Sequence, residues 1–227
     1  IMLNDGLKHY NKGGLDLRNE QKRKDHIIKN MLYMVELQED NAMVSRKIFG
    51  KEANIYCGSF LTTNNKSINP EVLKTFKVDK FDIIMGNPPF NKEKKESYSG
   101  STSNKELWLD FSLLSIDILK DNGYLLFIHP QNWRGLGPKF RNLWELIKKY
   151  QLHFLHIFNK KDGKKYFNAG TRFDLYIFQK KKNFKKSVIL DEMSKVHQID
   201  LKKLDFLPNY NIKKINKIIT NEKNGIN

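Results

Sequence analysis

The sequence predicts an α/β protein in which a mostly parallel sheet lies between helices on both of its faces. Short apolar runs of strand length alternate with stretches that repeat apolar residues every three or four positions, as helices do. The apolar runs are continuous rather than alternating, which is typical of strands with both faces covered. The chain has 227 residues, enough for one large α/β domain or for one medium domain with an appendage, and 39% of them are hydrophobic, enough for a sizeable buried core.

The predicted elements follow one another along the chain. Residues 1–10 are expected to form a helix, and residues 11–25 a polar connection. Asn122-Gly123 is expected to end a helix and Pro138 to begin one, since proline fits the first helical turn. After the connection we expect a strand at 31–36, a helix at 39–49, strands at 53–57 and 81–85 (the latter buried), a helix at 105–120, a strand at 124–128, a helix at 138–150, and strands at 152–158 and 173–179.

The chain is strongly basic. Lys and Arg number 41 against 25 for Asp and Glu, which gives a formal net charge of +16 at pH 7. Ten of the basic residues lie between Lys160 and Lys186, together with only Asp162 and Asp174. Such an excess attracts polyanions such as nucleic acids. A solvated lysine-rich surface would have the same composition, so charge alone leaves both interpretations open.

Composition also bears on compartment, membranes and metals. No apolar run approaches the length of a membrane span, so no membrane partner is expected. Cys57 is the only cysteine, which predicts a reducing, cytoplasmic location without a disulfide framework. The six histidines are scattered, and His153 and His156 lie in an apolar stretch where packing is expected. No metal site is predicted.

The tetrapeptide Asn87-Pro88-Pro89-Phe90 directly follows the strand predicted at 81–85, where open sheets of this kind bind their ligands. Pro88 forces Asn87 into an extended conformation, and the two prolines present carbonyl oxygens without N–H groups. The Asn87 side chain adds another acceptor, so the loop suits a flat –NH₂ group. Acceptors that hold both amine hydrogens can localise the nitrogen lone pair for attack on a methyl group, without a general base. Phe90 can stack on a base taken out of its helix.

The segment FDIIMGNPPF resembles the catalytic motif of the amino methyltransferases, the family that methylates N6 of adenine or N4 of cytosine in DNA. The resemblance implies a Rossmann-like methyltransferase fold, S-adenosylmethionine as cofactor and double-stranded DNA as partner. It implies catalytic roles for the four residues of the tetrapeptide. Adenine is favoured over cytosine because the motif begins with Asn rather than Ser, which is a tendency of the family.

Two segments resemble the cofactor-binding half of the same family. LYMVEL resembles the second strand, whose terminal acid binds the ribose hydroxyls of S-adenosylmethionine; Glu36, followed by Leu37, occupies that position. A carboxylate suits this role because it accepts hydrogen bonds from both hydroxyls. IYCGSFL resembles the segment that contacts the cofactor's adenine, through Ser59 and Phe60. Ser59 departs from the family, which usually has an acid or amide there, and Phe60 fits a core residue equally well.

Two later segments resemble the base-binding half. YFNAGTRFDLYIFQK, at 166–180, resembles the penultimate loop and last strand, where an aromatic packs on the second face of the flipped base. Phe167 is the candidate and Tyr166 the alternative. A base between Phe90 and Phe167 would gain stacking energy of roughly a few kcal/mol. YLLFIHPQNWRG resembles a strand followed by a Pro-x-x-Trp turn, in which Trp133 is expected to pack rather than to react.

The resemblance also predicts the domain organisation. Residues 1–186 are expected to form the catalytic domain, without the first strand and glycine-rich loop of the family, which should precede Ile1. Residues 187–227 are expected to be a C-terminal extension or the start of a target-recognition region. The order of the motifs matches the class in which target recognition follows catalysis.

Three functions remain open at this point. The first is a DNA adenine methyltransferase, such as the modification part of a restriction–modification enzyme. The second keeps the chemistry but acts on a ribosomal RNA guanine amine or a release-factor glutamine, since those enzymes also use Asn-Pro-Pro-aromatic motifs. The insertion at residues 92–104 and the Pro-x-x-Trp turn favour the DNA enzymes. The third is a catalytically silent DNA-binding module of the same fold.

Overall fold

A computed structural model describes residues 19–90, 106–182 and 185–215. The chain divides into two compact units, Ile1–Asp79 and Lys80–Asn227. The helix predicted at residues 1–10 and the insertion at 92–104 lie outside the described residues. Among those described, no helix combines the length and the apolar character that crossing a bilayer requires.

The first unit contains a two-stranded parallel sheet with helices between and around its strands. The strands β1 (Tyr33–Glu36) and β2 (Asn54–Cys57) pair so that Glu36 lies beside Cys57. The helices are α1 (Glu20–Asn30), α2 (Glu39–Phe49) and α3 (Pro70–Phe76). Both strands and α2 are confirmed, each strand slightly shorter than predicted.

Two helices of this unit differ from the prediction. The polar connection predicted at 11–25 is wrong in its last part, because α1 begins at Glu20. The side chain of Asn19 caps this helix by accepting from the Lys22 N–H, and good helix formers follow it. α3 was not predicted; Asn69 caps its first turn and Pro70 begins it, which are local start signals that need no apolar periodicity.

The second unit contains a six-stranded mixed sheet in the order β3-β4-β6-β5-β7-β8. Strands β3, β4, β5 and β7 run in one direction, and β6 and β8 run in the opposite one. The α/β class is confirmed. The elements are β3 (Phe81–Gly86), α4 (Leu107–Asp117), β4 (Leu119–Pro130), α5 (Arg141–Lys149), β5 (Tyr150–Phe158), α6 (Lys160–Phe167), β6 (Phe173–Lys182), β7 (Ser187–Leu190) and β8 (Val196–Ile199).

Strand β3 is more exposed than the sequence predicts. It was expected to be buried, yet Ile83 and Met85 are 57% and 70% exposed. Ile83 and Met85 lie on one face of β3, whereas Ile84, on the other face, packs against the hydrophobic core. An apolar run predicts a strand with covered faces, but it cannot tell which residues supply the cover.

Helix α4 ends earlier than predicted. The sequence predicts a helix to Lys120, stopped by Asn122-Gly123, whereas the helix ends at Asp117 and the chain then joins β4. A distant residue stabilises this end. The Lys180 Nζ donates to the carbonyl oxygens of Ile116, Asp117 and Leu119, at 2.8, 3.3 and 3.0 Å. A cation at a helix C-terminus is favourable because the last carbonyl groups lack partners within the helix.

Candidate active site

The proposed catalytic tetrapeptide leaves the sheet at the carboxyl end of β3. Pro88 is buried, whereas Asn87 and Pro89 are exposed and Phe90 is half-buried. Among the described residues, no hydrogen-bond partner engages the Asn87 side chain. The proline therefore fixes the loop to the protein, and the amide beside it is available to a ligand.

The structure brings Phe90 and Phe167 together, as the sequence predicts. Their ring centroids are 6.0 Å apart and the rings meet edge to face at 66°. A base lying between two parallel rings needs about 7 Å between them, which is two contact distances of about 3.5 Å. In the observed arrangement the two rings contact each other instead, so the stacking of a base between Phe90 and Phe167 remains a prediction.

An aromatic cluster lies behind Phe167. Its ring contacts Phe173 at 4.9 Å, and Phe173 stacks on Phe158 at 4.3 Å with an interplanar angle of 10°. Phe158 ends β5 and Phe173 begins β6, and the two are cross-strand partners. Tyr166, the alternative candidate, is 57% exposed and contacts Phe158 and Phe173 by its edge. The sheet itself thus positions Phe167.

Phe167 lies on a helix, where the sequence predicts a loop. The helix α6 has a capping box: the Asn159 side chain accepts from the N–H groups of Lys161 and Asp162, and Asp162 accepts from the Asn159 N–H at 3.0 Å. Gly163 is buried against the loop that follows. A Cβ at this position would lie 1.9 Å from the Thr171 carbonyl oxygen, so only glycine allows this close approach.

A buried ion pair near this cluster was not predicted. Arg134 Nε and Nη2 donate to the Asp174 carboxylate at 2.6 and 3.1 Å, and Trp133 Nε1 donates to it at 2.8 Å. Arg134 is 2% exposed and Asp174 0%. Burial raises the pKa of the Asp174 carboxyl, and the Arg134 guanidinium opposes that rise. Trp133 is fully buried, which confirms its predicted packing role.

The same arginine holds the C-terminal part of the described chain. Arg134 Nη1 donates to the Leu207 carbonyl at 2.8 Å, and Nη2 donates to Asn209 Oδ1 at 3.0 Å. Glu192 in turn accepts from Arg172 Nε at 2.9 Å, next to the loop that follows α6. The residues after 186 therefore support the aromatic cluster. Whether they also begin a target-recognition region remains a prediction.

His129, near the end of β4, belongs to the core. It is fully buried, stacks on Trp108 at a centroid distance of 4.5 Å, and its Nε2 lies 3.2 Å from the Tyr176 hydroxyl. Burial lowers the pKa of His129 to about 4, so its imidazole is neutral at pH 7. We assign it a packing role because its ring is enclosed by aromatic side chains.

The predicted cofactor-binding residues lie in the first unit, at the carboxyl ends of β1 and β2. Glu36 is half-buried, and its Oε1 accepts from the Gln38 N–H at 2.9 Å, just before α2. The Gly58 N–H donates to the Glu36 carbonyl oxygen at 2.8 Å. Gly58 has φ +152°, and a Cβ there would lie 2.9 Å from the Tyr56 ring. These contacts hold the two strand ends together and orient the Glu36 carboxylate.

The other predicted cofactor-binding residues follow Glu36 and Gly58 in the chain, and they differ in their exposure and contacts. Leu37 is 70% exposed and Phe60 is half-buried. The Ser59 hydroxyl donates to the Leu61 carbonyl at 2.7 Å and accepts from its N–H at 3.2 Å. The hydroxyl thus stabilises its own turn, and its contact with a cofactor remains a prediction.

These features define the class of the protein: it has the Rossmann-like fold of the S-adenosylmethionine-dependent methyltransferases. Residues 14–167 match the family described as Eco57I restriction-modification methylase, and the chain belongs to that family. A relative from Mycoplasma pneumoniae, described as an uncharacterized adenine-specific methylase, is 34% identical over 97 residues, which cover 41% of this chain and 22% of the relative.

Two solved structures share the fold at low sequence identity. The M protein of the type I restriction enzyme EcoKI matches with a TM-score of 0.55 and 16% identity, over 78% of this chain and 38% of that one. A modification subunit assigned to a type I restriction enzyme from Vibrio vulnificus YJ016 also has a TM-score of 0.55, with 12% identity, over 92% of this chain and 44% of that one. The chain spans less than half the length of each of these relatives.

Proposed function

We propose that the protein transfers a methyl group from S-adenosylmethionine to N6 of adenine in double-stranded DNA, as the modification activity of a restriction–modification enzyme. The observation that carries the proposal is the tetrapeptide at the end of β3, with an exposed Asn87 and with Phe90 in contact with Phe167. Family membership supports it. A cytoplasmic location, where DNA is accessible, goes with this proposal.

Asn87 and the proline-bounded backbone would hold the amine in place. The Asn87 side-chain oxygen and a carbonyl oxygen of the loop accept the two N6 hydrogens, which localises the nitrogen lone pair. The –NH₂ group of adenine is flat and weakly nucleophilic until this happens. Phe90 and Phe167 hold the flipped base by their aromatic faces, once the rings turn from the edge-to-face contact to admit it.

Glu36 fits the ribose of the cofactor. Its carboxylate is at the end of a parallel strand, and the Gln38 N–H engages only Oε1 among the described contacts, which leaves acceptor capacity for ribose hydroxyls. S-adenosylmethionine supplies an electrophilic methyl group when it is bound. Exposed Leu37 and half-buried Phe60 offer apolar surface at the same strand ends.

Methyl transfer can be measured directly. The full-length protein would be incubated with radiolabelled S-adenosylmethionine and either unmethylated DNA or ribosomal RNA, and the products digested to nucleosides. We expect the label in N6-methyl-2′-deoxyadenosine from DNA. Label in a guanine of the RNA would indicate an RNA substrate, and label in a glutamine when release factor is supplied would indicate a protein substrate. Either result would contradict the proposed action on DNA. Cofactor binding without transfer to any of these substrates would favour a silent DNA-binding module.

Replacement of Glu36 separates cofactor binding from catalysis. Glu36→Ala should weaken S-adenosylmethionine binding roughly ten- to a hundredfold, because a hydrogen bond to a charged acceptor contributes about 1.5–3 kcal/mol. Isothermal titration calorimetry on the full-length protein measures this. Glu39→Ala is the matched control, since Glu39 is an exposed acid in the first turn of α2. Equal affinities in the two variants would show that Glu36 does not bind the cofactor.

A further inference from the structure

One face of α6 carries four lysines, which we call the lysine face: Lys160, Lys161, Lys164 and Lys165. All four are exposed, and positions i, i+1, i+4 and i+5 lie on one side of a helix. The other side is occupied by the protein's own contacts, through the buried Gly163 and the capping residue Asp162. The fold therefore points the lysines to solvent.

Ion pairs within the described part of the chain do not balance the charge of the lysine face. Among the described residues, none of its ammonium groups forms an ion pair, and Lys165 Nζ lies 5.1 Å from the centre of the Tyr166 ring. Lys160 and Lys164 form a like-charged i, i+4 pair, and so do Lys161 and Lys165. Such pairs destabilise a helix by a few tenths of a kcal/mol each, about as much as opposite charges stabilise it. A bound anion would remove this repulsion.

The structure gives the other basic residues of the 160–186 run different positions. Arg172 pairs with Glu192, and Lys180 donates to carbonyl groups at the end of α4. A second exposed group lies at or just beyond the far end of β6, and it consists of Lys181, Lys182, Lys185 and Lys186. Lys182 is nine residues beyond Phe173, so this second group lies about 30 Å along β6 from the strand end that contacts Phe167. Only the lysine face lies on the helix that ends in Phe167.

We propose that the lysine face binds phosphates of the target DNA strand on the nucleotides next to the base that Phe90 and Phe167 receive. Lys160, Lys164 and Phe167 follow one another at spacings of four and three, so they lie along one line of α6. Lys160 and Lys164 are about 6 Å apart along the axis, which lets each meet a different phosphate. The capping box and Gly163 hold this line in place. This inference rests on the proposed function and adds the surface that positions the DNA.

The salt dependence of DNA binding tests it. In the full-length protein, the four lysines of the face would be changed to Gln, which has nearly the helix propensity of Lys. The control changes Lys181, Lys182, Lys185 and Lys186 to Gln and thus removes the same charge. Each lost phosphate contact lowers the slope of log K against log salt by about 0.9. With a labelled DNA duplex of mixed sequence, we expect the slope to fall by about 2–4 in the first variant and by less than about 1 in the control.

The outcomes are distinguishable. Equal slopes in the two variants, or a larger loss in the control, would overturn the proposal, because they indicate a general effect of net charge. A loss that occurs on RNA of the same sequence and not on DNA would also overturn it. Changing the face to Arg should preserve the slope and the Michaelis constant for DNA. The labelling assay separates this inference from the proposed function. If the wild-type protein labels adenine N6 but the two variants have equal salt slopes, only the role of the lysine face is wrong. If the wild-type protein labels no DNA, the proposed function is wrong.

Discussion

Asn87→Ala is expected to lower methyl transfer by roughly two to three orders of magnitude, the range for losing one preorganised polar group. The exposed amide lacks a partner among the described residues, so its removal should leave the fold unchanged. The prolines remain, and the cofactor residues lie in the other unit. Single-turnover kinetics with saturating cofactor measures the chemical step, and calorimetry should show unchanged S-adenosylmethionine affinity.

Two further variants sharpen this result. Asn142→Ala removes an exposed amide on α5 and should leave transfer unchanged, which controls for the substitution itself. Asn87→Asp keeps a side-chain oxygen acceptor, so its activity should exceed that of Asn87→Ala. A near-normal rate in the Ala variant would rule out the assigned role of the Asn87 oxygen.

Asp174→Ala is expected to destabilise the second unit by about 3–5 kcal/mol, because it leaves the Arg134 guanidinium buried without its counter-charge. Arg134 would also lose the carboxylate that aligns it with Leu207 and Asn209. Urea unfolding followed by tryptophan fluorescence measures the change, since Trp133 donates to the same carboxylate.

The matched control is an exposed carboxylate. Glu145→Ala removes the partner of Arg141 and Lys148 from a side chain that is 47% exposed, and it should cost under about 1 kcal/mol. Combining Arg134→Met with Asp174→Leu should recover much of the loss, because a buried ion pair can be replaced by apolar groups of similar volume. If Asp174→Ala costs no more than Glu145→Ala, the buried pair does not hold this part of the unit.

The sequence predicts the strands because apolar runs such as those of β4 and β5 are local and strong. It also locates Asn87 and Phe90, since two consecutive prolines after a strand restrict the backbone by themselves. α6 was missed for the opposite reason. Its lysines and Gly163 form no apolar stripe, and capping and the packing of the backbone against Thr171 stabilise it instead. β7 and β8 were not predicted either, and in β8 the polar residues His197 and Gln198 interrupt the apolar run.

Long-range polar contacts were beyond prediction. Arg134 and Asp174 are 40 positions apart, and the one indication was a lone acid within an apolar strand. Lys180 belongs to a run that suggests a charged surface, yet its ammonium binds carbonyl groups more than 60 positions away. Charge composition gives the number of cations in a segment. Only the fold decides which of them face solvent.

Gly163 also restricts how this helix can vary between related sequences. A glycine within a helix costs up to about 1 kcal/mol relative to alanine, so substitution here would ordinarily improve stability. Gly163→Ala cannot bring this gain, because even a methyl group would collide with the Thr171 carbonyl oxygen. Selection at this site therefore favours glycine, while the adjacent Lys164 and Lys165 can be exchanged without a steric cost. In a library of all single substitutions selected for folded protein, and not for DNA binding, position 163 should be depleted of every variant, whereas positions 164 and 165 should tolerate exchange.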